Sequence, residues 1–219
     1  MWNIWKYKCT IVFDKVQVNL QNIIALVQKN IVEWESFIDT STIQRSHIVK
    51  TPECWKCPQS GWKKINAYAS FDKNANNNIA GIGLMLRNCV GTLEAAKGST
   101  VAAMDEEQAE ALACLEAVEW AIAKEIQQLH LEYDNINIVS AINGSLSSIS
   151  WTSSNVVQDC LVRLNSINKW VCTSVKRSAN SCADTLAKNA RLHSKIGEWS
   201  VAPMFMLEDL DKDANAVTV

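Results

Sequence analysis

Three acidic side chains stand out by where they fall in the chain. Glu110 lies in Gln108-Ala109-Glu110-Ala111-Leu112-Ala113, a carboxylate among small apolar residues in a stretch with helical character. Asp134 follows Leu129, Leu131 and Tyr133, which alternate with His130 and Glu132 as in a strand. Asp184 sits in Ser181-Cys182-Ala183-Asp184-Thr185-Leu186-Ala187. Carboxylates from three elements drawn into one crevice would form a divalent-metal site, because hard cations offset their mutual repulsion. Ligands in open α/β sheets gather at the carboxyl ends of strands, where Asp134 falls. Each residue also has a plainer reading. Asp134 and Asp184 both suit a helix N-terminus through the macrodipole, and Glu110 suits a solvated first turn.

The elements that would position these groups follow from periodicity. Ile65, Ala67, Ala69 and Phe71 alternate with Lys64, Asn66, Tyr68 and Ser70, the pattern of a strand with one apolar face. Residues 79–86 read as a second strand, with Gly81 and Gly83 where backbones could approach closely. Arg87-Asn88-Cys89-Val90-Gly91 is a turn, and 92–99 a third strand. A helix over 105–124 is apolar on most of its circumference, as in a helix buried on more than one side. The fourth strand around 129–133 leads into a short helix at 137–142 and a serine-rich polar stretch. A helix near 156–167, a fifth strand at 170–176 and a closing helix carrying Ala183, Leu186, Ala187 and Ala190 complete the order. The sequence β-β-β-α-β-α-α-β-α implies an antiparallel meander joined to right-handed crossovers in one mixed, five-stranded sheet. Ahead of it, apolar residues at 20, 23, 24, 27, 31, 34 and 38 recur at helical spacing. The polar stretch 39–61, broken by Pro52, Pro58 and Gly61, reads as a linker. The expected organisation is a helical extension and linker over 1–61, an α/β domain over 62–195 and a tail over 196–219.

Composition bounds the function classes. The chain has 219 residues, 48% hydrophobic and 20% charged, which excludes wholesale disorder. Its 21 basic and 23 acidic residues give a net charge of −2, which excludes a polycationic coat protein but not a local basic face. No apolar run approaches the ~18 residues of a membrane span. The opening Met1-Trp2-Asn3-Ile4-Trp5-Lys6-Tyr7-Lys8 lacks the apolar core of a secretory signal, so a soluble nuclear or cytoplasmic chain is expected. The eight cysteines are scattered, with one C-x-x-C pair, Cys54 and Cys57, in the proline-bounded linker. They read as ordinary reduced thiols rather than a disulfide framework or a zinc site.

The landmarks, taken in order, resemble a family. They are Lys64-Ile65-Asn66 with Ser70-Phe71, then Gly81-Ile82-Gly83 with Arg87-Asn88 and Gly91. Ala109-Glu110-Ala111-Leu112-Ala113, Leu131-Glu132-Tyr133-Asp134 and Ile142-Asn143 follow. The last is Arg177-Ser178-Ala179-Asn180 with Ala183-Asp184-Thr185-Leu186-Ala187-Lys188. Residues 62–195 resemble the plant retroelement-type branch of the ribonuclease H family. The N-terminal Trp2-Asn3-Ile4-Trp5-Lys6 and Val12-Phe13, with the linker Trp55 and Gly61-Trp62-Lys63-Lys64, resemble the flanks of that domain in plant non-LTR retroelement polyproteins related to reverse transcriptase. The resemblance implies a ribonuclease H-like mixed sheet flanked by helices, and hydrolysis of the RNA strand of an RNA–DNA hybrid by two Mg²⁺ (or Mn²⁺) ions. In such a centre the ions lie about 4 Å apart, one activating water and one stabilising the leaving oxygen. Glu110, Asp134 and Asp184 match three of the family's four ligand positions.

The fourth position, on the first strand, holds Tyr68-Ala69 where the family has Asp-Gly. The missing carboxylate is the one expected to bridge both ions. A phenol is a poor ligand for a hard cation, and ionising it at pH 7 from a pKa near ~10 costs ~4 kcal/mol. Asp72 lies four residues along, ~13 Å away at ~3.3 Å per residue, too far to substitute. Asn66, on the same strand face at ~7 Å, brings no charge. The family often carries a His before its last helix, and Lys176-Arg177 occupies that stretch here. None of His47, His130 or His193 is placed to replace it. Arg177, Lys176 and Lys188, with Arg191 and Lys195, would make a phosphate-contacting patch or a merely solvated charged face. Three expectations follow: a two-metal hybrid endonuclease, a catalytically inactive nucleic-acid-binding retroelement remnant, and a protein-interaction module using the 20–38 helix. Tyr68 favours the second for turnover, with any metal held weakly.

Overall fold

The computed structural model describes residues 54–75, 78–146, 149–194 and 196–217. The expected 20–38 helix, Cys9 and Lys195 lie outside them. The strands are β1 (Lys63–Ser70), β2 (Ile79–Arg87), β3 (Leu93–Ala102), β4 (Gln128–Tyr133), β5 (Lys169–Ser174) and β6 (Gly197–Trp199). The helices are α1 (Glu106–Ala123), α2 (Ile136–Ile142), α3 (Trp151–Leu164), α4 (Ser181–His193) and α5 (Leu207–Val217). One mixed sheet runs in the order β5-β4-β1-β2-β3-β6. β1, β2 and β3 form the antiparallel meander, while β4 lies parallel to both β1 and β5. This is the expected ribonuclease H-like arrangement of a mixed sheet with flanking helices.

The sheet has six strands where the sequence reading expected five. β6 pairs antiparallel with β3 through Ala96↔Trp199, Lys97↔Glu198 and Gly98↔Gly197. Three residues are too short for alternation to register as a pattern. Beyond β6 the chain stays packed on the domain. Met206 is fully buried beside Met85, Ala96, Cys182 and Leu186, and α5 delivers Asp213 to the domain interior. Ahead of β1, Trp55 is only 2% exposed.

β1 is buried on both faces. Ile65, Ala67 and Ala69 join the main core with α1 and α3. Opposite them, Lys64, Asn66, Tyr68 and Ser70 are buried too, because Trp55 and α4 cover that face. Buried polar groups need partners. Lys64 Nζ donates to Glu132 Oε1 at 2.8 Å and to the Lys56 carbonyl at 2.7 Å. Asn66 Nδ2 donates to Glu132 Oε2, and Asn66 Oδ1 accepts from Trp55 and Arg87. Arg87, only 2% exposed, stacks 3.7 Å from the Trp55 ring centroid and donates to Asp213 at 2.7 Å.

α4 lies close on β2 because two residues there lack a side chain. A Cβ on Gly81 would stand 2.1 Å from the Ala187 carbonyl oxygen, and one on Gly83 2.2 Å from that of Ala183. The glycines share a strand face at a spacing of two, and meet helix residues four apart. α3 begins at Trp151, earlier than the serine-rich composition suggested. Ser150 caps it by accepting from the Ser153 N–H, and is itself held by Glu107 of α1. Among the described residues no disulfide joins the cysteines at 54, 57, 89, 114, 160, 172 and 182. Among the described residues no helix is long and apolar enough to cross a membrane.

Candidate functional site

The site lies where β1 and β4 point toward the N-terminal ends of α1 and α4. Parallel pairing sets Lys64 beside His130 and Asn66 beside Glu132, so one step further along Tyr68 comes alongside Asp134. A cleft of about 320 Å³ is lined by Tyr68, Glu106, Glu110, Asp134, Ile136 and Arg177, among others. Two of the three expected carboxylates therefore share this cleft, together with Tyr68. Asp184 adjoins it through Arg177, whose Nη2 donates to Asp184 Oδ1 at 3.2 Å. Lys188, one turn along α4, donates to Asp184 Oδ2 at 2.7 Å.

Burial decides how these groups ionise. Burial, then the nearby Asp134 charge, holds the Glu110 carboxyl well above its ordinary range; the Ala69 N–H, donating to it at 3.3 Å, pulls the other way. Burial also raises Asp134, with Arg177 opposing and Asp184 adding to the rise. The Tyr68 hydroxyl is pushed up chiefly by burial and then by the Asp184 charge, so it stays neutral. Above its ring lies the Arg177 guanidinium, 4.9 Å from centroid to Cζ, a cation–π distance.

These residues do not fit a pair of divalent ions. Tyr68 brings a neutral phenol to the cleft, and both oxygens of Asp184 are engaged by side-chain cations. Among the described residues no three His, Cys, Asp or Glu side chains gather closely enough to hold a metal. Asp134 keeps one buried oxygen, Oδ1, without a hydrogen-bond partner. Asp72 is no substitute ligand: it pairs with Arg191 at 3.2 Å, while Arg191 Nε donates to Ser70. The expected basic patch is thus partly spent on carboxylates inside the domain. Lys176 is exposed at the turn, and Arg177, Lys188 and Arg191 each hold an acidic partner. His130 is a strand residue bonded to Thr173, and His193 ends α4 exposed.

Sequence reasoning missed two neighbours. Asn180, 1% exposed, donates to the Ala67 carbonyl at 2.9 Å and ties the start of α4 to β1. Glu106, on the first turn of α1, adds a carboxylate to the cleft. Asn180 offered a signal as the residue just before a helix, but its long-range partner did not.

A family model described as reverse transcriptase-like matches residues 66–190. No curated protein matches the sequence. Among solved structures, the ribonuclease H1 of the halophilic archaeon Halobacterium salinarum aligns with a TM-score of 0.52 at 22% identity, over 59% of this chain and 96% of that one. The N-terminal ribonuclease H domain of a Mycobacterium tuberculosis protein, solved as a fusion with maltose-binding protein, aligns with a TM-score of 0.54 at 17% identity, over 59% and 92%. A foamy viral protease–reverse transcriptase in complex with an RNA/DNA hybrid aligns with a TM-score of 0.50 at 14% identity, over 69% of this chain and 22% of that one. At these identities the structural likenesses speak to fold.

Proposed function

The chain belongs to the reverse transcriptase-like family, and on that premise we propose that it is a ribonuclease H-type domain that binds RNA–DNA hybrids without hydrolysing them by the two-metal route. The observation that carries this reading is Tyr68 lying beneath Arg177 at the bridging-ligand position. A two-metal mechanism requires a carboxylate there to hold the ions together, and a buried neutral phenol supplies no charge. Glu110, Asp134 and Asp184 are then the inherited ligands of a site that no longer closes. The ordered sequence blocks support descent from a plant retroelement of the reverse-transcriptase-bearing kind.

Binding needs less than catalysis. A hybrid is gripped through backbone phosphates, minor-groove shape and 2′-hydroxyl groups. Lys176, Arg177 and Lys188 are the residues assigned to phosphate, Arg177 from the lining of the cleft itself. With two or three phosphates neutralised, log affinity should fall against log salt with a slope of about −2 to −3.

The test is a gel assay of labelled hybrid in Mg²⁺ and in Mn²⁺, with anisotropy measuring binding alongside. The expected result is binding without cleavage by the natural protein and cleavage by Tyr68→Asp/Ala69→Gly. Adding Asp134→Asn to that variant should abolish cleavage. Hydrolysis by the natural protein would overturn the catalytic half of the reading. Equal affinity for hybrid and for an unrelated polyanion would overturn the binding half.

A further inference from the structure

The two departures from the family pattern touch each other. Tyr68 replaces the bridging carboxylate, and Arg177 lies in the stretch where a histidine is usual. Arg177 reaches the Tyr68 ring at 4.9 Å and Asp184 at 3.2 Å, from the short 3₁₀ turn Arg177–Ala179 that precedes α4. It faces the same cleft as Glu110 and Asp134. Three carboxylates on three elements repel one another, and in a metal-loaded site two dications offset that repulsion. Here the offsetting charge is covalently attached. A guanidinium is always protonated, spreads its charge over a plane and stacks on an aromatic face, which a carboxylate at position 68 would not provide.

We propose that Arg177, seconded by Lys188, is the resident counter-cation of this carboxylate cluster and fills the role that divalent ions play in a metal-loaded site. Tyr68 and Arg177 form one matched unit: the ring supplies the platform, the guanidinium the charge. The domain therefore folds and binds with equal strength with or without Mg²⁺ or Mn²⁺. Replacing Tyr68 alone leaves a cation competing for the metal position. This inference rests on the reading that the two-metal centre is not assembled, and its test does not depend on nucleic acid.

The experiment is thermal melting of the natural protein, Arg177→Gln and Arg177→Lys, each in chelator and in 1 mM Mn²⁺. The natural protein should shift by less than about 1 °C on adding Mn²⁺. Arg177→Gln should melt lower in chelator and recover about 3–6 °C in Mn²⁺, the shift produced by a ligand present at roughly ten times its Kd. Arg177→Lys, which keeps the charge, should remain insensitive to metal. A Mn²⁺ response in the natural protein as large as in Arg177→Gln would overturn the proposal, as would a Gln variant no more responsive than its parent. If Arg177→Gln does not fold in chelator, its rescue by Mn²⁺ or the absence of rescue decides the same question. Hybrid anisotropy in chelator and in Mg²⁺ separates the two ideas. Loss of hybrid binding under both conditions would sink the proposed function, while the melting data would still decide the role of Arg177.

Discussion

Replacing Gly83 with alanine tests the contact that places α4, and with it Asp184, against the sheet. The added Cβ would stand 2.2 Å from the Ala183 carbonyl oxygen, 2.5 Å from the Ala187 nitrogen and 2.7 Å from Leu186 Cβ. A carbon meets its neighbours comfortably at about 3.5 Å, so α4 must retreat by roughly 1 Å. Two of the three obstructing atoms are backbone, so no rotamer change relieves them. Overpacking ordinarily costs about 1–3 kcal/mol, and a rigid obstruction belongs at the upper end. For a domain of this size ~3 kcal/mol lowers the melting midpoint by about 6–12 °C. Urea unfolding followed by tryptophan fluorescence measures the loss, and adding Ala187→Gly should not restore it, since the Ala187 atom in the way is its nitrogen. A Gly83→Ala protein within about 0.5 kcal/mol of its parent would refute the close approach of α4 and the placement of Asp184 that follows from it.

Two further outcomes test the burial arguments. Arg87→Met leaves Asp213, 5% exposed, as a buried unpaired charge, at an expected cost of about 3–5 kcal/mol. Adding Asp213→Leu should recover part of that loss in urea unfolding, and a double variant no better than the single would remove the ion pair from the explanation. Glu110, held above its ordinary value of 4.5, titrates with the opposite sign to a salt-bridged acid. Its raised folded pKa favours the fold below the unfolded value, and the contribution is lost as pH rises through the folded one. Glu110→Gln should therefore melt above the natural protein at pH 8, with the gap closing as pH falls toward 4.5. Melting curves with a gap that does not change with pH would refute the assignment.

The arrangement of the core was legible in the sequence because it is written in periodicity. Alternation along Ile65, Ala67 and Ala69, the all-round apolar helix bearing Glu110, and the strand leading to Asp134 each follow from local pattern, and their order constrained the topology. So did the absence of a carboxylate at Tyr68, a fact of composition at one position. Other features depend on pairs of residues far apart in the chain, which no local pattern encodes. β6 is three residues long and exists because β3 offers it an edge. Lys64, Asn66 and Arg87 look like solvent-facing residues and are buried because Glu132 and Asp213, distant in sequence, arrive with Trp55 to satisfy them. Arg177 reads in sequence as one more surface cation. Only the tertiary fold sets it over Tyr68 and against Asp184, because the charge it answers is assembled from three separate elements and does not exist until they pack.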